Sequence, residues 1–278
     1  MRLKIGISPC PNDTFIFFAL LNGKIDTEGI VFDVIMKDVK ELNDLAFKAE
    51  LPITKLSYHA FAYLTDKYEL LNSGSALGNN CGPLVIADKK IPLSEVPGLR
   101  VLIPGKFTTA NFLFNLVFPK APNKTEVIFS EIEQMLLDGK ADAGVIIHEN
   151  RFTYEEKGLV KLIDLGEYWE EQYKLPIPLG GIVIDTNLPL ETKQTVDRVI
   201  KRSIEYAMKH TKETLEFVRL FSQEMDDEVI LKHINLYVNE YSVDLGAKGK
   251  EAIRKLFQVA EEKSIIPPVA ALKFVPLD

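Results

Sequence analysis

Cys81-Gly-Pro-Leu-Val-Ile-Ala-Asp88 and Leu179-Gly-Gly-Ile-Val-Ile-Asp185 share one plan: a glycine, a short and fully apolar run, then an aspartate. Runs of this length and composition read as strands buried on both faces. Between them, residues 89–178 carry a complete alternation of strand and helix patterns. We read the pair as two crossing strands. They would join a discontinuous large domain, residues 1–88 and 184–278, to an inserted small domain, residues 89–183, with a cleft and a hinge between. Two unrelated buried strands would look the same in sequence, and that alternative stays open at this point.

Outward from this pair, short β-rich runs alternate with helical periods as far as residue 185. This is the pattern of an α/β protein whose parallel strands are joined by crossover helices. Strands are predicted over residues 3–7, 30–36, 53–56, 84–87, 100–103, 126–129, 143–147 and 182–184. Asp38 with Glu41, and Ser130 with Glu133, have capping-box spacing. Gly23 and Gly139 suit the left-handed residue that closes a helix. Beyond Pro189 the spacing turns helical, with Val196, Val199, Ile200, Ile204 and Ala207 on one face, and this part reads as packing rather than chemistry.

The 278 residues include 33 Lys and Arg against 40 Asp and Glu, a net charge of −7, and the pI is near 5.3. A phosphate-backbone binder presents a net basic face, so the balance argues against a nucleic-acid partner. With 46% apolar and 26% charged residues the composition is that of a globular protein, large enough to enclose a dry site. The longest apolar run, residues 15–21, falls far short of the roughly 18 residues of a membrane helix. Pro9, Pro11, Asn12 and Asp13 stand where a signal peptide would carry its apolar region. A cytoplasmic protein with no membrane partner is expected, in which Cys10 and Cys81 form no disulfide framework.

Residues 42–57 and 132–148 repeat one another: helix, short turn, strand, then a polar residue at the strand's carboxyl end, one copy in each proposed domain. Open α/β sheets bind ligands beyond those ends. Four such places stand out: Ser8 to Thr14, Lys55 to Ser57, Lys106 to Ala110, and His148 with Glu149. Facing domains would bring all four onto one cleft. At the third, a strand ends at Pro104 and a helix begins near Thr108. Its free N–H groups, its dipole and the hydroxyls of Thr108 and Thr109 make a site for a carboxylate or phosphate. Thr108 acting simply as an N-cap is compatible with this.

His148, at the rim of a buried strand, is the one evident proton-transfer group of the cleft; a structural strand-end histidine is the alternative. His59, His210 and His233 are scattered without zinc-ligand spacing, and no metal is expected. Cys10 reads as a small buried thiol, and Asn12 or Asp13 as the cap of the helix through residues 15–21. Lys55 reads as an anion anchor or, more readily, as half of an exposed ion pair. There is no GxGxxG after the first strand and no P-loop, so no nucleotide cofactor is expected. The residues alone give a two-domain cleft for a small anionic ligand.

The same places carry a family pattern. Ser8-Pro-Cys-Pro-Asn-Asp-Thr-Phe15, Lys55-Leu-Ser57, Gly82-Pro-Leu84, Thr108-Thr-Ala110 and Ile147-His-Glu149 resemble the 1,4-dihydroxy-6-naphthoate synthases of the futalosine route to menaquinone. The likeness runs from residue 5 to about residue 185, the helical C-terminus matching in length and character only. The resemblance implies the fold of type II periplasmic binding proteins, two α/β domains with a cleft and two crossover strands. It implies a carbon–carbon lyase, without cofactor, that converts cyclic dehypoxanthine futalosine to 1,4-dihydroxy-6-naphthoate and releases dihydroxyacetone. Carried over residue by residue, His148 would be the proton acceptor, Lys55, Leu56 and Ser57 would line the substrate, and Thr109 with Ala110 would hold it at a helix N-terminus. Thr108, Asn12 and Asp13 complete the expected contacts.

Two other functions share this architecture: a cytoplasmic binding protein for small anions, and the sister chorismate dehydratase of the same pathway. The motif from Ser8 to Phe15 and the pair His148-Glu149 favour the synthase. A homodimer is compatible with any of the three.

Overall fold

In the computed structural model, which describes residues 1–222, 226–269 and 271–277, the alternating pattern folds as two sheets. The chain begins with β1 (Arg2–Ile7), α1 (Pro11–Leu21), β2 (Val31–Met36), α2 (Val39–Phe47), β3 (Ile53–Ser57), the single turn α3 (Tyr58–Phe61), β4 (Tyr68–Leu70), β5 (Ala76–Gly78) and β6 (Leu84–Ala87). It continues with β7 (Val101–Ile103), α4 (Thr109–Val117), β8 (Lys124–Glu126), α5 (Ile132–Leu137), β9 (Ala143–Ile146), α6 (Asn150–Thr153), β10 (Val160–Asp164), α7 (Leu165–Tyr173) and β11 (Ile177–Asp185). Helices follow: α8 (Leu190–Lys209), α9 (Thr211–Val218), α10 (Asp227–Tyr237), α11 (Glu240–Val243) and α12 (Gly246–Glu262).

The two sheets are built alike. The first has the order β2-β1-β3-β11-β4, with β5 also on β11; the second, read from its far edge, is β8-β7-β9-β6-β10. In each, three parallel strands are flanked by an antiparallel one from elsewhere in the chain, β11 beside β3 and β6 beside β9. The chain crosses between the sheets twice, between β5 and β6 and between β10 and β11. Leu84–Ala87 therefore belongs with the second sheet and Ile177–Asp185 with the first, which moves both crossings about one strand upstream of the expected boundaries at 88/89 and 183/184. The reason is pairing, since a buried strand goes where its backbone groups find partners. Asp278, the expected end of the large domain, lies outside the described residues. At the first crossing Gly82 is required by proximity: an added Cβ would stand 2.2 Å from the Cα of Gly166.

Local signals fare unevenly. Gly23 and Gly139 take the expected left-handed conformation, at φ +62° and +68°. Asp38 caps α2 by accepting from Lys40 N, while Glu41 pairs with Lys37 instead of closing a capping box. Ser130 caps nothing, because Phe129–Glu131 is a 3₁₀ turn and Glu133 is drawn instead to Asn150 and Lys157. The strand expected over 126–129 pairs with β7 only over Lys124–Glu126. The short strands β4 and β5 and the antiparallel β10 show no clear periodicity and escape a reading by pattern.

Beyond its polar first turn α1 is apolar on every side, and it is buried along nearly its whole length, as a helix must be when it is covered all round. It packs against α8, α9 and α10, and the predicted face of α8, from Val196 to Ala207, lies in the same core. Among the described residues no helix is long and apolar enough to cross a membrane.

Candidate functional site

The carboxyl ends of the two sheets face a cavity of about 670 Å³, counting the open space at its mouth. All four expected places meet there: Ser8, Asn12 and Asp13 after β1, Lys55 to Ser57 at the end of β3, Thr108 to Ala110 at the start of α4, and His148 after β9.

On the first-lobe side the charges are matched internally. Asp13 is 1% exposed, and its Oδ1 accepts from Lys55 Nζ at 2.8 Å and from Asn12 Nδ2 at 2.8 Å. Oδ2 accepts from the backbone N and the hydroxyl of Ser8, at 3.1 and 2.8 Å. Lys55 is thus half of a buried ion pair, not the exposed pair its residue type suggests. The cap expectation is corrected too: α1 starts at Pro11, which places Asn12 and Asp13 inside its first turn.

The second-lobe side is open. Thr108 caps α4, its hydroxyl oxygen accepting from Asn111 N and its O–H donating to Gly105 O at 2.7 Å. The Thr109 hydroxyl donates to Leu179 O, across to β11, at 2.6 Å. Both hydroxyls are engaged with the protein, which leaves the first-turn amides of Thr109 and Ala110, on the cavity wall, without an intrahelical acceptor. No acidic residue occupies that turn, and the positive end of the helix dipole is left for an anion. His59 on α3 anchors the same turn from below, Nδ1–H donating to Thr108 O at 3.1 Å. Burial pushes its pKa down to about 4 and keeps the ring neutral.

His148 lies on the cavity wall with φ +58°, a backbone conformation in which a non-glycine residue is held only by its surroundings. Phe129 meets its ring edge-on at 4.9 Å between centroids, and His233 stacks on it at 5.9 Å and 21°. Its Nε2 is 3.7 Å from Cys10 Sγ. Burial raises the pKa of Cys10 well above the ordinary thiol value, so it stands beside the imidazole as a neutral thiol.

The C-terminal helices were expected to pack and nothing more; α10 also builds the site. Tyr237 lines the cavity, and fully buried His233 brings Nε2 to 3.0 Å from Asn12 Oδ1. Burial, reinforced by the nearness of His148, drives the pKa of His233 well below the ordinary imidazole value. The signal in the sequence was weak: His233 and Tyr237 are four apart on the face that also carries Ile230 and Ile234, a pattern that core helices share.

A family described as menaquinone biosynthesis matches residues 3–262. A 1,4-dihydroxy-6-naphthoate synthase of Thermus thermophilus is 43% identical over 98% of this chain and 99% of its own length. The chain belongs to the 1,4-dihydroxy-6-naphthoate synthase family. A second synthase of that name, from Streptomyces coelicolor, is 39% identical over 95% of each chain. The family match reaches residue 262, so the likeness expected to stop near residue 185 takes in the helices that supply His233 and Tyr237. Among solved structures, a protein of Archaeoglobus fulgidus gives a TM-score of 0.91 at 35% identity, covering 95% of this chain and 98% of that one. An alkanesulfonate-binding protein of Xanthomonas axonopodis gives 0.70 at 12% identity over 96% and 94%, a likeness of fold alone. The protein is an enzyme of menaquinone biosynthesis on a periplasmic-binding-protein-like fold, as a 1,4-dihydroxy-6-naphthoate synthase family member is expected to be.

Proposed function

We propose that this enzyme is the carbon–carbon lyase that converts cyclic dehypoxanthine futalosine to 1,4-dihydroxy-6-naphthoate with release of dihydroxyacetone. The observation that carries the reading is the pairing, across one cavity, of an acid-free helix N-terminus with a half-buried histidine on constrained backbone. The α4 amides bind the aromatic carboxylate, remote from the bond that breaks. Neutral His148 removes a proton from the spiro-fused sugar portion. The carbon–carbon bond to the ring then opens in the retro-aldol sense, its electron pair enters the ring as that ring aromatises, and the imidazolium returns its proton to the products. Aromatisation supplies the driving force, while the protein supplies position and proton transfer.

Purified protein incubated with cyclic dehypoxanthine futalosine, wild type beside His148→Ala, tests this by mass detection of dihydroxynaphthoate and dihydroxyacetone. Both products from the wild type, and a rate lower by about 10²–10⁴ from the variant, are expected. A folded wild type that binds the compound and leaves it intact would rule out this substrate.

A further inference from the structure

α4 carries a cavity on each of two faces. Thr108, Thr109 and Ala110 meet the one already described. Asn111 and Asn115, one turn apart on the same helix, line a second of about 670 Å³ with its open mouth, together with His59, Tyr63, Phe107 and two lysines. Lys106 belongs to the stretch expected on the first cavity and lines this one instead. Two buried acceptors here lack donors. The Nδ1–H of His59 is directed to Thr108 O and the ring is neutral, so its Nε2 is a bare acceptor. Asn111 gives its Nδ2 to Lys106 O at 2.7 Å, which leaves Oδ1. The two residues are 6% and 3% exposed, and neither atom has a hydrogen-bond partner among the described residues. A buried acceptor without a donor destabilises the fold, and a donor brought in by an occupant of the cavity removes that cost.

The rest of the wall is positive and aromatic. Lys124 donates to Asn115 Oδ1, and burial lowers its pKa. Lys106 lies over the ring of Phe107 at 5.3 Å, and neither lysine has an ion-pair partner among the described residues. The carboxylate of this wall, Glu126, accepts the backbone N–H of Lys106 at 2.9 Å. Tyr63 and Phe107 meet edge to face at 5.4 Å, and the His59 ring lies within 6.2 Å of both. We propose that this cavity is a second binding site, for a planar aromatic carboxylate that carries hydroxyl groups. The ring system lies against Tyr63 and Phe107, the hydroxyls donate to His59 Nε2 and Asn111 Oδ1, and the carboxylate takes Lys106 and Lys124. His59 then ties the occupant to the turn that faces the first cavity, through its bond to Thr108 O. The product of the proposed reaction belongs to this class, a link that rests on that reading; the recognition itself does not.

The test is anaerobic equilibrium binding of 1,4-dihydroxy-6-naphthoate to the whole protein, wild type beside the double variant Lys106→Gln/Lys124→Gln, whose amide at residue 124 can still donate to Asn115. The wild type should show a site that the double variant lacks; the same number of sites in both, or none in the wild type, would overturn the proposal. At that site 2-naphthoate, which has no hydroxyl, and 1,4-dihydroxynaphthalene, which has no carboxylate, should each bind about tenfold or more weakly than the full probe. Equal affinities for all three would make the cavity a non-selective apolar hollow and refute the assignment. In ¹⁵N-histidine NMR of the wild type, which needs no variant to fold, the Nε2 signal of His59 should move on saturation as its lone pair gains a donor. A signal that stays put while that of His148 moves would place the probe in the first cavity alone. No turnover enters these measurements, so failure of the assigned reaction and failure of this site are told apart.

Discussion

The two lobes share a strand order but treat their equivalent helix N-termini in opposite ways. α1 follows β1 as α4 follows β7, at matching places in the two sheets. α1 carries its own anion, Asp13 in the first turn, bound by Ser8 and neutralised by Lys55. α4 carries none. The strand ends differ in the same sense. After β3, Ser57 is tied back to Asn43 on α2, its N donating to Oδ1 at 3.1 Å and its hydroxyl accepting from Nδ2 at 3.3 Å. After β9, the residue at the corresponding place is His148, while Glu133 on α5 secures the following turn through Asn150. One lobe has satisfied its strand-end chemistry internally; the other leaves helix N–H donors and the His148 imidazole on the cavity wall.

This contrast predicts different failures on the two sides. The largest effect falls on the open lobe: His148→Ala should keep the fold and lower kcat by about 10²–10⁴, and a folded variant within tenfold of wild type would break the assignment. On the closed lobe, Lys55→Met strands the Asp13 carboxylate and should cost about 3–5 kcal/mol of stability, read as a lowered urea midpoint at unchanged slope. A midpoint within experimental scatter of wild type would mean that the pair is solvated after all.

Between the lobes, the depressed pKa of His59 links stability to pH. The folded ring binds its proton only near pH 4, the unfolded one near 6.5, so the contribution is fully present above pH 6.5 and is lost as pH falls toward 4. The loss amounts to about 3 kcal/mol, and thermal melts of His59→Gln should show a shallower decline over that window than wild type. The smallest effect is expected at the lobe contact itself. Thr109→Val removes the donor to Leu179 O that sets the α4 turn, and should raise KM by about tenfold while kcat stays within a few-fold. A fall confined to kcat would place Thr109 nearer the reacting bond than the carboxylate.

Much of this was legible before any tertiary contact was known. The repeat in residues 42–57 and 132–148, the cap at Thr108 and the polar residues after each strand are local features, written within a few residues of one another. The crossings were placed one strand late because an apolar run announces a strand without naming the sheet that will pair it. Lys55 was misread because its partner lies 42 residues upstream, after another strand, and an isolated lysine gives no sign that it will be buried. His233 was passed over because its chemistry depends on Asn12, 221 residues away.

The sequence by itself determined which groups could meet: alternating strands and helices place strand-end residues on one side of each sheet, and the order of elements repeats. Only the tertiary structure decided which of those groups remain free. It engaged the two threonine hydroxyls, paired Asp13 with Lys55, turned the Asn12 carbonyl toward His233, and brought a C-terminal helix beside His148. Periodicity and caps follow from neighbours along the chain, whereas the satisfaction of a buried polar atom depends on whichever distant atom packing brings within hydrogen-bond reach.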